Sequence, residues 1–477
     1  MTDNAPTYGY FLSGEWHADG ERQQVRSPYD GQVVAAVHVA GPDALERATV
    51  AAQQAFEITR RLPSHERARI ARAVSEGIAA RADEFARMIA LEAGKPLKQA
   101  RVEVQRSVFT FAQAAEEATR IAGEVLTLDA HPNGVGRQGI TRRFPIGPVA
   151  AITPFNFPLN LVAHKLAPAI AAGCPVVLKP APATPVTALK LAEVIHAAGW
   201  PAGALAVLPL ATEHAAPLVE DERFKLLSFT GSPAVGWAMK GRAGRKRVVL
   251  ELGGNAGVIV HRDADLALAA SRSVIGGFAY AGQTCISIQR IFVHHDVYEG
   301  FMDAFVPGVR ALRVGDPLDE ATDLSALINA ASGERVGVWL NEARAAGAEV
   351  LVGGGVRGAM VEPTIVVKAG PELRINCQEV FAPVVTVQTY QEFDEAVAAL
   401  NASEYGLQAG VFTSDLRLAW RAFEQLEVGG AIINDVPTWR VDNMPYGGVK
   451  ASGFGREGLR YAIEEMTELR LLVLNLG

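Results

Sequence analysis

The sequence has little cysteine, with three residues in a chain of 477: Cys174, Cys285 and Cys377. So few cysteines in so long a chain form no disulfide framework, which favours a reducing compartment, and we expect the cytoplasm. The N-terminus, Met-Thr-Asp-Asn, lacks both a basic segment and an apolar core, so we expect no signal peptide.

The sequence also lacks an excess of positive charge, because 45 basic side chains stand against 52 acidic ones and the net charge is −7. This balance argues against nucleic acid or an anionic membrane as the main partner. The longest apolar stretch, residues 149–178, is interrupted by proline, asparagine, histidine and lysine, so it cannot span a bilayer. These absences together predict a soluble protein whose main partner is neither a nucleic acid nor a membrane.

The composition is otherwise that of an ordinary globular protein, with 49% hydrophobic and 20% charged residues. Residues 147–252 alternate short apolar strands with helical segments, which predicts a parallel, doubly wound sheet. Ligands of such sheets bind beyond the carboxyl ends of the strands. The clearest strand end is followed by Gly231, Ser232 and Pro233, a sequence that suits a turn and an exposed helix N-terminus able to hold a pyrophosphate.

The rest of the chain predicts a second α/β block from about residue 255 to 445 and a small β element. Residues 124–146 have the pattern of a hairpin, and residues 467–474 that of an apolar edge strand without an obvious partner in the chain. Two stretches, 134–139 and 453–458, match the dinucleotide pattern GxGxxG. Neither follows a predicted strand and opens a predicted helix, so we reject both as phosphate sites.

Three residues suit chemistry at a carbonyl group. Cys285 lies where a glycine-rich helix end meets a predicted strand, although a single cysteine is more often buried and inert. Glu251 ends an apolar strand, where partial desolvation would raise its pKa toward that of a general base. Asn156 lies between two prolines, in a stiff loop that can hold its amide toward a developing oxyanion.

With these motifs the chain resembles the aldehyde dehydrogenase superfamily over essentially its whole length. The resemblance is strongest to the branch that acts on lactaldehyde, glyceraldehyde phosphate and semialdehydes. It rests on five stretches: 154–158, 251–255, 282–285, 379–383 and 445–453.

The resemblance implies an α/β fold with a Rossmann-like parallel-sheet cofactor domain (1–123 and 147–250) and an α/β catalytic domain (251–445). It also implies a small β oligomerisation arm (124–146 and 446–477), used in homodimers or homotetramers. The implied reaction is NAD(P)-dependent oxidation of an aldehyde through a thiohemiacetal and a thioester. In it Cys285 is the nucleophile, Asn156 holds the oxyanion and Glu251 activates water.

The resemblance further implies no metal and either NAD or NADP as cofactor, because Pro182 stands where many NAD-preferring relatives carry a glutamate. Lys165 and Glu468 match positions that relatives use as a water and proton route, with a structural ion pair as the alternative. The cofactor-binding residues implied are Ile152, Thr153, Pro154, Phe155, Lys179, Gly231, Ser232, Leu252, Glu379 and Phe381.

The substrate is predicted less directly. Arg106 and Arg440 are candidates for holding an anionic tail, since guanidinium groups pair with carboxylates and phosphates. Phe157 and Thr284 flank catalytic residues and carry no charge, which argues against a pocket dedicated to phosphate. We therefore expect a short aliphatic aldehyde that is hydroxylated or acidic.

Three alternatives remain open at this point. A coenzyme-A-acylating dehydrogenase is disfavoured by the presence of Glu251. A non-catalytic relative is disfavoured because all three catalytic residues are intact. A cysteine hydrolase gives no reason for the alternating strand-helix block.

Overall fold

The computed structural model describes residues 5–476, and its helices follow the apolar spacing of the sequence. None of the helices in this range is long and apolar enough to cross a membrane. The helices are α1 (Pro42–Thr59), α2 (Ser64–Ala80), α3 (Ala82–Ala93), α4 (Leu97–Ala118), α5 (Asn160–Ala172), α6 (Val186–Ala197), α7 (Ala216–Glu220), α8 (Pro233–Arg242), α9 (Leu266–Phe278), α10 (Tyr298–Arg310), α11 (Ala330–Ala345), α12 (Arg374–Cys377), α13 (Phe393–Asn401), α14 (Leu416–Gln425) and α15 (Leu459–Glu465).

The strands are short, and most of those in the two large sheets are buried along their whole length. They are β1 (Thr7–Tyr8), β2 (Tyr10–Leu12), β3 (Glu15–His17), β4 (Arg22–Arg26), β5 (Val33–His38), β6 (Val125–Leu126), β7 (Arg137–Pro145), β8 (Val149–Ile152), β9 (Val176–Lys179), β10 (Leu205–Val207), β11 (Leu226–Thr230), β12 (Arg247–Glu251), β13 (Ala256–Val260), β14 (Ile288–His294), β15 (Glu349–Val352), β16 (Val356–Arg357), β17 (Met360–Val361), β18 (Thr364–Val367), β19 (Val384–Tyr390), β20 (Tyr405–Gly406), β21 (Gln408–Phe412), β22 (Gly430–Ile433), β23 (Val449–Lys450), β24 (Gly453–Phe454) and β25 (Thr467–Asn475).

The first large sheet has the strand order β24-β12-β11-β8-β9-β10-β2-β3. Its five central strands, β12 to β10, are parallel, which confirms the predicted α/β class. Antiparallel strands close both edges. One hydrophobic core lies between this sheet and helices α2 to α6. The carboxyl ends of the parallel strands lie side by side, because Ile152 is in register with Lys179 and Thr230 with Glu251.

The second large sheet has the order β15-β18-β19-β14-β13-β21-β22 and is parallel except for β15. A separate core packs helices α9 to α11 against it. The two sheets are joined directly, because only four residues separate the end of β12 from the start of β13. The amino ends of β14 and β19 therefore come close to the carboxyl ends of the first sheet.

A third sheet has the order β25-β7-β6. Strand β7 pairs with β6, as the predicted hairpin requires, and the stretch 134–139 enters this strand rather than a helix. The sequence indicated no strand within the chain that would pair with residues 467–474, and that expectation is wrong. All nine residues of β25 pair antiparallel with β7, and the register runs from Thr467 with Pro145 to Asn475 with Arg137.

Candidate active site

A cavity of about 370 Å³ lies between the carboxyl ends of the first sheet and the amino ends of the second. Its lining brings together Asn156, Glu251 and Cys285, which the sequence selected as catalytic candidates. It also includes most of the predicted cofactor residues and all four substrate candidates: Pro154, Phe155, Gly231, Ser232, Leu252, Glu379 and Phe381, with Arg106, Phe157, Thr284 and Arg440.

Cys285 is carried by the turn that links α9 to β14. Tyr280 and Ala281 in this turn have positive φ values of 49° and 51°, a backbone conformation that non-glycine residues seldom adopt. The turn also needs Gly254 beside it, because a Cβ there would lie 2.1 Å from the Cys285 carbonyl oxygen. The nucleophile candidate is thus held on a strained turn packed against the joint between the sheets.

The Cys285 thiol is protonated in this environment. Burial raises its pKa to about 12, and the carboxylates of Glu379 and Glu251 add to the effect. A hydrogen bond between Sγ and the Tyr446 hydroxyl, at 3.0 Å, and the charge of Arg440 act in the opposite direction. The thiol therefore needs a base to become a nucleophile.

Asn156 follows β8 and is 4% exposed. Its side-chain Nδ2 donates a hydrogen bond to the backbone oxygen of Gln283, at 3.0 Å, which ties the amide to the turn that carries Cys285. The second N–H of the amide is left for a group in the cavity. This geometry suits a donor to an oxyanion that forms beside the sulfur.

Glu251 is the last residue of β12 and is 3% exposed, so it is more completely desolvated than the sequence suggested. Neither of its carboxylate oxygens has a hydrogen-bond partner among the described residues. Burial raises its pKa well above the ordinary value, and the nearby Glu457 carboxylate raises it further. A Cβ at Gly447 would lie 3.0 Å from Oε1. Because glycine has no Cβ, this position leaves space for the Glu251 carboxylate.

The cofactor candidates form a cradle on one side of the cavity. Ser232 is the N-cap of α8, yet its side chain makes no capping hydrogen bond, so the hydroxyl and the helix N-terminus are both available to an anion. Glu379 accepts a hydrogen bond from the Gly254 backbone N–H at 2.9 Å, and burial raises its pKa to about 7. Phe381 packs edge-to-face on Phe155 with the ring centres 6.0 Å apart. These residues fit a dinucleotide with a pyrophosphate and a ribose.

Ile152, Thr153 and Lys179 lie just outside the cavity lining, at the ends of β8 and β9. The Thr153 N–H donates to the Lys179 carbonyl oxygen at 3.2 Å, which continues the pairing of the two strands. Burial lowers the pKa of Lys179, and no neighbouring carboxylate offsets that effect among the described residues. The strand ends thus extend the cradle away from Cys285.

The ion pair of Lys165 with Glu468, which was the alternative to a proton route, is not found among the described residues. Lys165 Nζ instead lies 3.3 Å from Glu457 Oε1 and donates to the hydroxyls of Ser228 and Thr230. Glu468 lies on β25 in the third sheet and pairs with Arg470. Among the described residues, the carboxylate that reaches Lys165 thus lies in the stretch 453–458, which the sequence excludes only as a phosphate site.

Both arginine candidates are held by acidic groups that the sequence analysis missed. Arg106 makes two hydrogen bonds to Asp442, at 3.0 and 2.6 Å, and its side chain is 26% exposed. Arg440 is 6% exposed, lies 3.6 Å from Asp442 and stacks on the ring of Tyr446. His164 Nε2 completes the group at 2.8 Å from Asp442. Of the two guanidinium groups, that of Arg106 is the more accessible to a ligand.

Comparisons with known proteins agree with this geometry. The profile of the Aldehyde dehydrogenase family matches residues 16–472. The chain is 45% identical over 470 residues to a 3-sulfolactaldehyde dehydrogenase of Priestia aryabhattai, with 98% of each chain covered.

Two solved structures extend the comparison. The chain is similar to aldehyde dehydrogenase 21 of Physcomitrella patens in complex with the reaction product succinate, with 44% identity, a TM-score of 0.97 and 99% of each chain covered. It is also similar to the glyceraldehyde-3-phosphate dehydrogenase GapN of Methanocaldococcus jannaschii complexed with NADP. There the identity is 38% and the TM-score 0.92, with 96% of this chain and 99% of that chain covered. This chain therefore belongs to the aldehyde dehydrogenase family, as the sequence motifs predicted, and it is an enzyme.

Proposed function

We propose that this enzyme oxidises a short aliphatic aldehyde, hydroxylated or acidic, to its carboxylic acid with NAD or NADP. The observation that carries the proposal is the meeting of a thiol, an amide donor and an unpaired carboxylate in one cavity, beside a helix N-terminus that is free to bind a phosphate. The names of the relatives support it, since one acts on 3-sulfolactaldehyde and another holds succinate as its product.

In the first step the sulfur of Cys285 bonds to the aldehyde carbon, and the thiol proton passes to the Glu251 carboxylate. Both Glu251 oxygens are free to accept it. The carbonyl oxygen becomes an oxyanion that takes a hydrogen bond from Asn156 and another from the backbone N–H of Cys285. Loss of a donor of this kind typically costs about 100- to 1000-fold in rate.

In the second step the hydride leaves the thiohemiacetal carbon and a thioester of Cys285 remains. The nicotinamide of the bound cofactor supplies the acceptor for this hydride. Glu251 first releases the thiol proton to solvent and then, again as the carboxylate, takes a proton from water as the water oxygen bonds to the acyl carbon. The C–S bond then breaks, the acid departs and the sulfur recovers its proton.

The residues of the cradle would each contact a different part of the bound cofactor. Ser232 and the first turn of α8 would hold the pyrophosphate, and Glu379 would accept hydrogen bonds from the ribose next to the nicotinamide. Phe381 and Phe155 would border the nicotinamide ring. Lys179 would reach the adenosine ribose, and Pro182 near it adds no negative charge that repels a 2′-phosphate, so either cofactor can be used.

The charges around the inner end of the cavity favour an anionic substrate. Burial alone would raise the pKa values of Asp442 and Glu457, but charged partners lower both. His164 and Arg106 are the main partners that lower the pKa of Asp442. Lys165 is the main partner that lowers the pKa of Glu457. Both carboxyl groups are therefore ionised, whereas the raised pKa of Glu251 favours its neutral form. While Glu251 holds a proton, three cations, Arg106, Arg440 and Lys165, face two anions, which leaves one positive charge in excess.

The test is a substrate panel with both cofactors, followed by the absorbance of the reduced nicotinamide. We expect kcat/KM for succinic semialdehyde, lactaldehyde and 3-sulfolactaldehyde to exceed that for butanal. About tenfold is expected for the acidic members, the size of one favourable ion pair of about 1.4 kcal/mol. Absence of turnover with every aldehyde would refute the proposal. Equal kcat/KM values across the panel would refute the preference for an acidic substrate.

The same panel run with coenzyme A separates the main alternative. An acylating enzyme would yield the acyl-coenzyme A, whereas hydrolysis assisted by Glu251 yields the free acid. The Cys285→Ala variant is the matched control, because it should retain the fold and lose all turnover.

We also propose the domain division 1–123 with 147–250 for the cofactor, 251–445 for catalysis, and 124–146 with 446–477 for assembly into a homodimer or homotetramer. The exposed apolar side chains of β25 support the assembly role, as discussed below. A cytoplasmic location is part of the proposal, supported by three free cysteines, Cys174, Cys285 and Cys377. Cell fractionation and size-exclusion chromatography test these statements.

A further inference from the structure

The hydroxyl of Tyr446 touches the reacting sulfur. Its oxygen lies 3.0 Å from Cys285 Sγ, within hydrogen-bond distance for a sulfur atom. Tyr446 is buried and packs with Ile286, Leu407 and Cys285 in a small apolar cluster of its own. Among residues 5–476 the hydroxyl has no other hydrogen-bond partner, so its one contact is with the nucleophile.

The direction of this hydrogen bond follows from the chemistry of the two groups. Burial raises the pKa of Tyr446 well above its ordinary value, so the phenol keeps its proton and remains a donor. A thiolate can only accept, and hydrogen bonds to a charged acceptor are about twice as strong as those between neutral groups. The contact therefore stabilises the deprotonated sulfur more than the thiol.

Two features of the fold fix the position of the phenol. The guanidinium carbon of Arg440 lies 3.6 Å from the centre of the Tyr446 ring, and Arg440 is itself paired with Asp442 and Glu457. The backbone of Tyr446 exchanges two hydrogen bonds with Glu457, at 3.0 and 2.7 Å. The cation on the ring face withdraws electron density from the phenol and makes its O–H a better donor.

The charged groups that face the sulfur and the phenol do not replace this contact. Glu251 and Glu379 oppose ionisation of the thiol, and Arg440 favours it by its charge rather than by a hydrogen bond. Arg106 also faces the phenol but is occupied by Asp442. Tyr446 is thus the neutral donor in direct contact with the reacting atom.

We propose that Tyr446 is a further catalytic residue of this site, whose hydroxyl donates a hydrogen bond to the Cys285 sulfur whenever that sulfur is anionic. This role rests on the proposed function for its place in the reaction. The bond forms as the thiol proton passes to Glu251, weakens when the sulfur bonds to carbon, and forms again when the C–S bond of the thioester breaks. The phenol keeps its own proton throughout.

The test removes one oxygen atom with Tyr446→Phe and measures alkylation of Cys285 by iodoacetamide against pH, without aldehyde or cofactor. Labelling of Cys174 and Cys377 is subtracted with a Cys285→Ala protein. We expect the apparent pKa of the thiol to rise by about one unit and the alkylation rate below that pKa to fall about tenfold. An unchanged pH profile would overturn the proposal.

Controls separate this role from a structural one. Tyr298→Phe on α10 removes a hydroxyl far from the cavity and should leave the alkylation profile and the turnover unchanged. The melting temperature of Tyr446→Phe should match that of the parent, since the ring and its packing remain. If the melting temperature of Tyr446→Phe is lower, Arg440→Gln gives a second measurement. We expect it to raise the apparent pKa of the Cys285 thiol by less than Tyr446→Phe does. A double-mutant cycle that is strictly additive would refute polarisation of the phenol by the arginine.

Turnover distinguishes failure of this proposal from failure of the proposed function. In Tyr446→Phe, kcat/KM should fall by a similar factor for every aldehyde that the parent oxidises, with KM little changed. A loss confined to KM for hydroxylated aldehydes would assign the phenol to substrate binding and refute its action on the sulfur. If the parent oxidises no aldehyde, the alkylation experiment still decides the contact between Tyr446 and Cys285.

Discussion

At the scale of single residues, the site depends on carboxyl groups whose pKa values move in opposite directions within one cluster. Glu251 is buried without a hydrogen-bond partner among residues 5–476, so its pKa is raised, whereas Asp442 is buried with partners that lower its pKa. Burial is common to both, and the partners decide the sign. The opposite pKa shifts separate the roles of the two carboxyl groups: Glu251 exchanges protons, and Asp442 holds arginines in place.

Glu251→Gln should slow acylation of Cys285, because the thiol loses its base, and should abolish release of the acid, because water loses its activating carboxylate. We expect kcat to fall by about 100- to 10,000-fold, and the acylated Cys285 to accumulate as a mass increase in the intact protein. In the parent kcat should rise with pH, because the carboxylate form is needed to activate water. A variant that turns over at the parent rate would remove Glu251 from the mechanism.

The same substitution gives a prediction on stability. Because the folded-state pKa of Glu251 is raised above the unfolded value, its contribution to stability is present at low pH and is lost as the pH rises through the folded-state pKa. The free energy of unfolding of the parent should therefore decrease relative to that of Glu251→Gln as the pH rises above about 4.3, the ordinary pKa of a glutamate. Urea titrations of both proteins across this range measure the difference, and parallel curves would contradict the raised pKa.

Arg106→Met should change the preference for charged substrates. We expect kcat/KM for succinic semialdehyde to fall about 10- to 100-fold and that for butanal to change by less than about twofold, because only the former loses an ion pair. Arg101→Met, on the same helix and paired with Glu320 at the surface, is the matched control. An equal decrease for both aldehydes would show that Arg106 serves only to hold Asp442.

At the scale of elements, a buried ion pair joins the helices packed on the first sheet to the two loops of the site. Glu103 on α4 accepts hydrogen bonds from the backbone N–H groups of Leu159 and Asn160, at 2.9 and 3.1 Å, and pairs with Lys95. The Lys95 ammonium lies 3.6 Å from the centre of the Phe157 ring and 4.3 Å from that of Tyr280. One cation therefore contacts both the loop that carries Asn156 and the turn that leads to Cys285.

Lys95→Met should loosen both loops. Removal of one member of a buried ion pair leaves a charge without a partner and typically costs about 3–5 kcal/mol. We expect the melting temperature to fall and, in the protein that remains folded, kcat to fall for all aldehydes. Lys98→Met, whose partner Asp323 is partly exposed, should cost much less. Equal losses in the two variants would show that the contact with the aromatic rings has no special role.

The elements that the sequence predicted are those whose pattern is local. Alternation of apolar strands and helices in residues 147–252 predicts the parallel sheet, and the order glycine, serine, proline predicts the start of α8. The pairing of β25 with β7 was not predictable in this way, because it depends on contact between segments more than 300 residues apart. The same holds for Glu457, which reaches Lys165 across 292 residues. The left-handed turn at Tyr280 and Ala281 is not predictable either, since neither residue favours it.

At the scale of the whole molecule, β25 leaves a large apolar surface uncovered. The strand forms the edge of the third sheet, and only one of its two edges is paired within the chain. Most of its side chains are exposed, including Leu469, Leu471 and Leu472 at 58%, 55% and 54%. An apolar edge strand of this length is a surface that proteins cover by association.

Leu472→Asp should disrupt that association. We expect the parent to elute in size-exclusion chromatography at a multiple of the 50.7 kDa chain mass and the variant to shift toward the single chain. Val338→Asp on α11, which is 56% exposed, is the matched control for a charge introduced at an exposed apolar position. A parent that elutes as a single chain would refute the oligomerisation arm.

The short joint between β12 and β13 has a consequence for how this chain tolerates change. Each sheet has its own core, so one extra residue within 252–255 would leave both halves able to fold. It would, however, move the carboxylate of Glu251 by about 3.3 Å relative to the sulfur, the advance of one residue along an extended backbone. Such a protein would impair both proton transfers that Glu251 carries out, from the thiol and from water. The length of this joint is therefore set by the reach of one carboxylate rather than by the needs of either half.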